Sequence, residues 1–223
     1  MLVLPPFITF LQKRLQEPLP GYEGQKRMAP FAKAVYEPPH DITTYKQSAV
    51  LALLFNTQAS TDTPEHLQLL FTVRSNNLKH HSGQISFPGG RSNRGEAIVQ
   101  TALRETYEEV GISPEHITIL GELSPLYVPV SRSMIYVVSG FHYGIPQTYR
   151  NTEEVAEIFS LSLSFLMDPK NLGRKPWTVL GQNVEVPFWD IGKHIPLWGA
   201  TAMITAEILT LYEEFTASYT MCT

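Results

Sequence analysis

The sequence predicts an α/β fold in which strands and helices pack in layers. Short apolar segments bounded by polar or Gly- and Pro-rich stretches are typical of strands, and one longer segment with a helical repeat of apolar residues lies between them. This alternating order favours mixed α/β layers. The chain has 223 residues and 43% hydrophobic content, which suffices for one well-buried domain.

The first part of the chain differs in composition from the rest. Residues 1–45 are rich in proline and predict an N-terminal extension, with a short helix over residues 7–16 and an extended Pro-Leu-Pro-Gly segment after it. Residues 46–223 form the predicted main domain.

Several apolar segments of the main domain predict its strands and its last helix. The predicted strands cover residues 48–55, 67–74, 117–123 and 134–141. Residues 151–159 fit either the start of a helix or a strand. Residues 202–215 follow a turn and predict an amphipathic terminal helix, with Trp198 before it in a packing role.

Residues 96–110 predict a helix that packs on the sheet. On a wheel of 3.6 residues per turn, its small and apolar side chains share one face. The members of this face are Val99, Ala102, Leu103, Thr106 and Val110. Gly111 follows the last of them, at the position where a residue free to take positive φ usually ends a helix.

Three glutamates of this helix fall on a separate arc. Glu105, Glu108 and Glu109 span roughly 100° of the wheel. Such a triplet is most often a solvated polar face. If the face lines a cleft, two carboxylates about 5 Å apart repel by roughly 3 kcal/mol at an effective dielectric constant of about 20, which favours a proton or a cation. Oxygen ligands point to Mg²⁺ or Mn²⁺, and the single cysteine, Cys222, disfavours zinc.

A glycine turn precedes the helix. Gly89 and Gly90 allow the backbone to turn sharply and to approach a ligand closely. Turn and helix together carry the pattern Gly90-x5-Glu96-x7-Arg104-Glu105-Thr106-Tyr107-Glu108-Glu109-Val110-Gly111. This pattern resembles the signature of the Nudix hydrolase superfamily, with Thr106 where an aliphatic residue is usual.

The resemblance implies a fold and a set of site residues. The expected fold is a Nudix-type α/β/α sandwich with a mixed sheet and a loop-helix-loop metal site. The implied metal ligands are the carboxylates of Glu105, Glu108 and Glu109 and the carbonyl of Gly89. Arg104, four residues before Glu108, would position that carboxylate, and Glu96 would support the loop. The resemblance also implies that a glutamate is the general base, with Glu105 and Glu108 as candidates.

A second pattern lies immediately before the glycine turn and concerns the substrate. Residues 69–90 resemble the coenzyme A pyrophosphatase subfamily, with Lys79 where that subfamily has an arginine, and the resemblance extends from about Gln47 to Leu211. It implies cleavage of coenzyme A, and of acyl-coenzyme A if an acyl chain is tolerated, to 4′-phosphopantetheine and adenosine 3′,5′-bisphosphate. Water would attack one phosphorus of the pyrophosphate with help from the bound metal.

Cationic residues near the glycine turn agree with a polyanionic substrate. Arg74, Lys79, Arg91 and Arg94 lie close to the turn in sequence, although the chain has a net charge of −4. We expect Arg74, Lys79 and Arg91 to bind substrate phosphates. The neighbouring pair His80-His81 is a weaker candidate, because histidines are often surface or structural residues.

Alternatives remain open at this point. Lys79 leaves room for a Nudix hydrolase of another nucleoside diphosphate derivative, such as ADP-ribose, a dinucleotide or a nucleoside triphosphate. A catalytically silent nucleotide sensor is a third hypothesis, although such a module would be expected to lose the metal-binding carboxylates, which are present here. Many Nudix enzymes draw a further carboxylate from the later half of the chain, and Glu154 and Glu157 are the candidates.

Composition limits the partners and the location. One cysteine, no leader pattern and no apolar run of about 18 residues predict a cytoplasmic protein that does not enter a membrane. A pI near 6.0 and the lack of a basic arm argue against nucleic acid as a partner. We therefore expect a small-molecule substrate, and a homodimer is left open.

Overall fold

The computed structural model describes residues 3–41, 45–58, 63–75 and 83–220. The α-helices are α1 (Pro6–Arg14), α2 (Tyr22–Gln25), α3 (Ile98–Val110), α4 (Leu163–Met167) and α5 (Gly199–Thr220). The first strands are β1 (Lys46–Asn56), β2 (Leu67–Arg74), β3 (Ile85–Ser86), β4 (Gly89–Arg91) and β5 (Thr118–Val128). The later strands are β6 (Ser133–His142), β7 (Val155–Ser162), β8 (Leu172–Val179), β9 (Gln182–Trp189) and β10 (Leu197–Trp198).

A mixed sheet of seven strands forms the centre of the molecule. Its main path runs β3-β2-β1-β6-β5, with β7 paired to β2 and β4 paired to β1. The pairing of β1 with β6 is parallel and the other pairings are antiparallel. β4 pairs with the first half of β1, next to the region where β2 pairs with its last residues. Gly89 and Gly90, which we call the glycine turn from their prediction, therefore lie in a short strand against the central strand and not in a turn.

Helices cover both faces of this sheet. Along β1, the side chains of Leu51 and Leu53 lie in the cluster that includes α3, whereas Ala52 and Leu54 lie in the cluster that includes α5. Alternate residues of a strand point to opposite faces, which explains this division. The predicted α/β/α sandwich with a mixed sheet is confirmed.

The predicted elements agree with the structure apart from their ends. β1, β2, β5, β6, α1 and α5 lie where the sequence predicted them, and the ambiguous residues 151–159 lead into the strand β7. Gly111 ends α3 with a φ of 72°, as predicted. The predicted start at Glu96 was wrong, because Ala97 is extended and α3 begins at Ile98. The Glu96 carboxylate instead accepts a hydrogen bond from the Asn93 amide at 3.0 Å.

The N-terminal segment packs on the main domain. The side chains of Phe7, Ile8 and Leu11 on α1 are fully buried in the same cluster as α5. The Phe7 ring lies edge-on to Tyr212, with 4.8 Å between the ring centroids. The division of the chain at residue 45 stays a prediction.

A second, antiparallel sheet of three strands has the order β10-β9-β8. β8 and β9 form a hairpin whose turn is Leu180-Gly181, with φ values of 51° and 74°. This hairpin was not predicted from the sequence. Within the described part of the chain, no helix is long and apolar enough to cross a membrane.

Candidate active site

Arg104 on α3 contacts three of the predicted acidic residues, one on the loop before α3 and two on the polar side of the helix. Its guanidinium donates to Glu96 at 2.7 and 3.0 Å, to Glu105 at 2.8 Å and to Glu108 at 3.0 Å. It also donates to the Arg91 carbonyl at 3.3 Å. The hydrogen bond from Arg104 is the main reason that the pKa of Glu96 falls to about 2. Arg104 therefore fixes two of the three carboxylates relative to the loop.

Glu109 lies deeper than the other two glutamates. Its side chain is only 2% exposed, its Oε2 accepts a hydrogen bond from the Gly89 amide at 3.1 Å, and its Oε1 lies 3.4 Å from an Arg74 nitrogen. Burial is the main cause that raises the pKa of Glu109 to about 7, and the charges of Glu105 and Glu154 add to it. The Gly89 and Arg74 contacts only partly offset this cost.

Glu105 sits directly against the glycine turn. A Cβ atom placed on Gly90 would lie 2.3 Å from the Oε2 of Glu105, so a glycine is needed for the carboxylate to take this place. Burial raises the pKa of Glu105, and the nearby Glu108 and Glu154 raise it further, against the lowering effect of Arg104. Glu108 itself is half exposed.

The chemistry of these groups fits a hard divalent cation. Three carboxylates on one helix, two of them with raised pKa values, carry negative charge that a cation would neutralise. All donors are oxygens, which suits Mg²⁺ or Mn²⁺. As the side chains stand in the described part of the chain, no three His, Cys, Asp or Glu residues form a ready metal cluster. The ligand set of Glu105, Glu108, Glu109 and the Gly89 carbonyl stays a prediction.

A cavity of about 400 Å³ opens beside the glycine turn. Its lining includes Gly89, Gly90, Arg74 and Arg91, whereas Glu105, Glu108 and Glu109 do not line it. The structure thus brings two of the three predicted phosphate-binding residues to the same cavity. Arg74 also contacts Glu109, a pairing that the sequence analysis did not predict.

Four further residues near the glycine turn were candidates for phosphate binding: Lys79, His80, His81 and Arg94. Lys79, His80 and His81 lie outside the described residues. Arg94 is exposed on the loop before α3 and does not line the cavity.

The two late glutamates separate in the structure. Glu154 is partly buried, and its charge contributes to the raised pKa values of Glu105 and Glu109, for which burial is the main cause. Glu157 instead forms an ion pair with Lys193, whose ammonium also lies 4.9 Å from the centre of the Phe159 ring. Glu154 is therefore the one that the fold brings near the acidic face.

Similarity to known proteins agrees with this geometry. The chain matches the NUDIX domain over residues 45–179. It is 38% identical over 147 residues to the mitochondrial coenzyme A diphosphatase NUDT8 of Homo sapiens, which covers 64% of this chain and 62% of that protein. It is 36% identical over 118 residues to the peroxisomal coenzyme A diphosphatase NUDT7 of Mus musculus, which covers 52% of this chain and 50% of that protein.

A bacterial relative is also similar. The uncharacterized Nudix hydrolase NudL of Photorhabdus laumondii is 34% identical over 141 residues, which cover 63% of this chain and 74% of that protein. The match to human NUDT8 spans less than two thirds of that protein's length. Because the NUDIX domain match covers more than half of the chain and includes the Arg104 network and the glycine turn, this protein belongs to the Nudix family.

Proposed function

We propose that this protein is a divalent-metal-dependent pyrophosphohydrolase that cleaves coenzyme A to 4′-phosphopantetheine and adenosine 3′,5′-bisphosphate. The observation that carries the proposal is that Gly89 and Gly90 contact the acidic face of α3 and also line a cavity that contains two arginines. The Gly89 amide donates to Glu109, Gly90 lies against Glu105, and Arg74 and Arg91 line the same cavity as the two glycines. The two mammalian relatives named coenzyme A diphosphatases support the choice of substrate.

The residues divide into two groups by charge. Glu105, Glu108, Glu109 and the Gly89 carbonyl would hold Mg²⁺ or Mn²⁺, which when bound neutralises phosphate oxygens and lowers the pKa of water. Arg104 positions Glu105 and Glu108 through its hydrogen bonds. This arrangement keeps the carboxylates in place before a substrate arrives.

The cations act on the substrate. Arg74, Lys79 and Arg91 would bind the phosphates of coenzyme A, which carries a 3′-phosphate in addition to its pyrophosphate. An arginine fork can donate two parallel hydrogen bonds to a phosphate, whereas Lys79 offers a flexible point charge.

A glutamate near the cavity would accept the proton of the attacking water. Glu105 and Glu108 are the candidates from the signature, and Glu154 joins them because of its proximity to Glu105 and Glu109. A Glu154→Gln variant that keeps metal affinity but loses turnover would assign the base to Glu154.

We also propose a cytoplasmic location, which rests on composition alone, and leave a homodimer open.

Product analysis tests the proposed function. Purified protein is incubated with Mg²⁺ or Mn²⁺ and separately with coenzyme A, ADP-ribose, NADH and nucleoside triphosphates, and products are identified by mass. We expect release of adenosine 3′,5′-bisphosphate from coenzyme A, abolished by EDTA and largely lost in Glu105→Gln and Glu109→Gln with unchanged circular dichroism. Cleavage of another substrate alone would reassign the substrate, and binding without cleavage of any of them would indicate a sensor.

A further inference from the structure

A carboxylate that the proposed mechanism does not use lies in the interior of the protein. Glu207 is on α5 and is fully buried, although buried charges in proteins are usually paired or bound to a metal. The predicted metal ligands are on α3, and α3 and α5 pack on opposite faces of the central sheet. Glu207 therefore needs a role other than metal binding.

Neutral hydrogen-bond donors from two other parts of the chain surround this carboxylate. The Gln25 side chain donates to its Oε2 at 2.9 Å, and the Gly21 amide donates to its Oε1 at 3.3 Å. Ser124 of β5 contributes hydrogen bonds from its side chain and its backbone. Burial raises the pKa of Glu207, and these hydrogen bonds act in the opposite direction. One carboxylate thus joins α5 to the N-terminal segment and to β5.

The N-terminal segment lies directly on α5 at this point. A Cβ atom placed on Gly24 would lie 3.4 Å from the Cα of Glu207, and the Thr210 hydroxyl donates to the Gly24 carbonyl at 3.4 Å. Further along the same segment, the Tyr22 hydroxyl donates to the Phe31 carbonyl at 2.9 Å. The contacts with α5 therefore also restrict the position of Phe31.

Each of the three elements that Glu207 joins also lines the cavity beside the glycine turn. In the order N-terminal segment, β5 and α5, the lining includes Phe31, Tyr36, Leu126, Val128, Thr201 and Met203. Met203 lies about one helical turn before Glu207, on the same face of α5. The relative positions of three parts of the cavity wall therefore depend on one buried group.

The two acceptor oxygens of Glu207 are both needed for this arrangement. A glutamine at this position has the same shape, but its NH2 group would face either the Gln25 side chain or the Gly21 amide, and a donor would then meet a donor. Gln25 is itself buried, so water has little access to replace the lost hydrogen bond. A buried donor without an acceptor weakens the contact that it replaces.

We propose that Glu207 is a positioning residue for substrate binding, because its carboxylate holds the N-terminal segment, β5 and α5 in the arrangement that shapes the cavity. The inference rests on the proposed function for the identity of the substrate. It gives the N-terminal segment a part in the active site, through a residue that contacts neither the metal ligands nor the glycine turn.

Steady-state kinetics of one variant and one matched control test the inference. Glu207→Gln should raise KM about tenfold and leave kcat within about twofold of wild type, because the cavity wall changes while the carboxylates of α3 stay in place. Glu214→Gln makes the same change on the same helix and breaks the contact with Arg14, and neither of these residues lines the cavity. It should leave both constants unchanged. The substrate is coenzyme A, or whichever nucleotide of the substrate panel wild-type protein cleaves.

Hydrogen–deuterium exchange followed by mass spectrometry tests the anchoring without any substrate. In Glu207→Gln, the amides of residues 20–31 should exchange at least about tenfold faster than in wild type, whereas those of β6 should be unchanged. Glu214→Gln should not alter exchange in either region. Gln25→Ala removes one donor and should change exchange and KM in the same direction, so it decides the inference if Glu207→Gln does not fold.

The two measurements separate this inference from the proposed function. If wild-type protein cleaves no substrate of the panel, the proposed function fails, and exchange still decides whether Glu207 anchors the segment. Unchanged exchange of residues 20–31 in Glu207→Gln overturns the inference. Faster exchange with an unchanged KM also overturns it, because Glu207 would then stabilise the fold without shaping the site. An equal rise of KM in Glu214→Gln would show that the effect does not depend on the Glu207 contacts.

Discussion

Arg104 is the residue that determines the arrangement of the acidic face. One guanidinium contacts Glu96, Glu105 and Glu108 as well as the Arg91 carbonyl. The planar fork of an arginine can satisfy several acceptors in fixed directions, whereas a lysine offers one compact charge. The four-residue spacing predicted the contact with Glu108. No spacing rule predicts that the same side chain also binds Glu105.

We therefore predict that Arg104→Lys lowers kcat/KM about 10- to 100-fold while the fold remains intact, because the carboxylates lose their fixed directions. Steady-state kinetics, with thermal unfolding as a check on folding, measures this. Arg94→Lys is the matched control, since Arg94 is an exposed arginine on the loop before α3 and does not line the cavity. Activity of Arg104→Lys within twofold of wild type would contradict the positioning role.

The burial of Glu109 gives the metal-free protein a distinctive pH dependence. Burial raises the pKa of this carboxyl from 4.5 to about 7, so the folded state keeps a proton that the unfolded state releases. Its contribution to stability is fully present below pH 4.5 and is lost as the pH rises through 7. The difference amounts to roughly 3 kcal/mol across this range. Glu109→Gln should remove this part of the slope.

Urea denaturation in EDTA at several pH values measures this effect. Wild-type protein should lose stability relative to Glu109→Gln between pH 5 and pH 8. Adding Mg²⁺ or Mn²⁺ at pH 8 should restore stability to wild type more than to Glu109→Gln, because the metal binds the folded carboxylate. Parallel pH profiles for the two proteins would disprove the assignment of the slope to Glu109.

A helical wheel shows in which direction a side chain points, but not how deeply the fold buries it. The different burial of the three glutamates could therefore not be predicted from the sequence. Glu105, Glu108 and Glu109 appeared equivalent on the wheel, yet the structure leaves Glu108 half exposed and buries Glu109. The difference comes from Arg74 and Gly89, which are distant in sequence and reach Glu109 only through the fold. No local spacing contains that information.

β4, which contains the two glycines, and α3 are both held against β1. β4 pairs with β1 in the sheet, and α3 packs in the same cluster as Leu51 and Leu53 of β1. Short apolar runs sufficed to predict β1 and β2, which are buried over most of their length, and a period of 3.6 residues sufficed to predict α3 apart from its start. The β8–β9 hairpin lacked such a pattern, because Arg174, Lys175 and Pro176 occupy the middle of β8 and are exposed. β8 is instead held by its pairing with β9, which also pairs with β10.

The closeness of β4 and α3 leads to a prediction for Gly90→Ala. The added Cβ would lie 2.3 Å from the Glu105 Oε2, and the flexible carboxylate would have to swing away. Gly90 does not have a positive φ, so alanine causes no backbone strain. We expect at least tenfold lower kcat with a preserved fold, measured by kinetics and circular dichroism.

A double-mutant cycle separates this steric effect from a general defect. Gly90→Ala should lower the thermal midpoint in the wild-type background and have little effect in the Glu105→Ala background, where nothing is displaced. The two substitutions would then be clearly non-additive. Additive effects would show that Gly90 acts independently of Glu105.

At the level of the whole molecule, the N-terminal segment contributes to the main core as well as to the lining of the cavity beside the glycine turn. Its proline content predicted an extension, and only the structure reveals that α1 shares a cluster with α5. Composition could not predict this packing, because the contacting aromatic residues are about two hundred positions apart, as for Phe7 and Tyr212. Glu207 adds a polar link, accepting hydrogen bonds from Gln25 and from the Gly21 amide.

If α1 is an integral part of the folded domain, Phe7→Ala should destabilise the whole protein. The ring is fully buried and lies 4.8 Å from the Tyr212 ring and 5.5 Å from the Phe215 ring, so its removal leaves a cavity in the core. We expect the free energy of unfolding to fall by about 3–5 kcal/mol, in a single transition followed by both circular dichroism and tryptophan fluorescence. Val3→Ala, at a residue that is 87% exposed, should change it by less than about 0.5 kcal/mol. A loss of under about 1 kcal/mol in Phe7→Ala, or separate transitions for the two probes, would instead mean that the segment before residue 45 folds and unfolds apart from the Nudix domain.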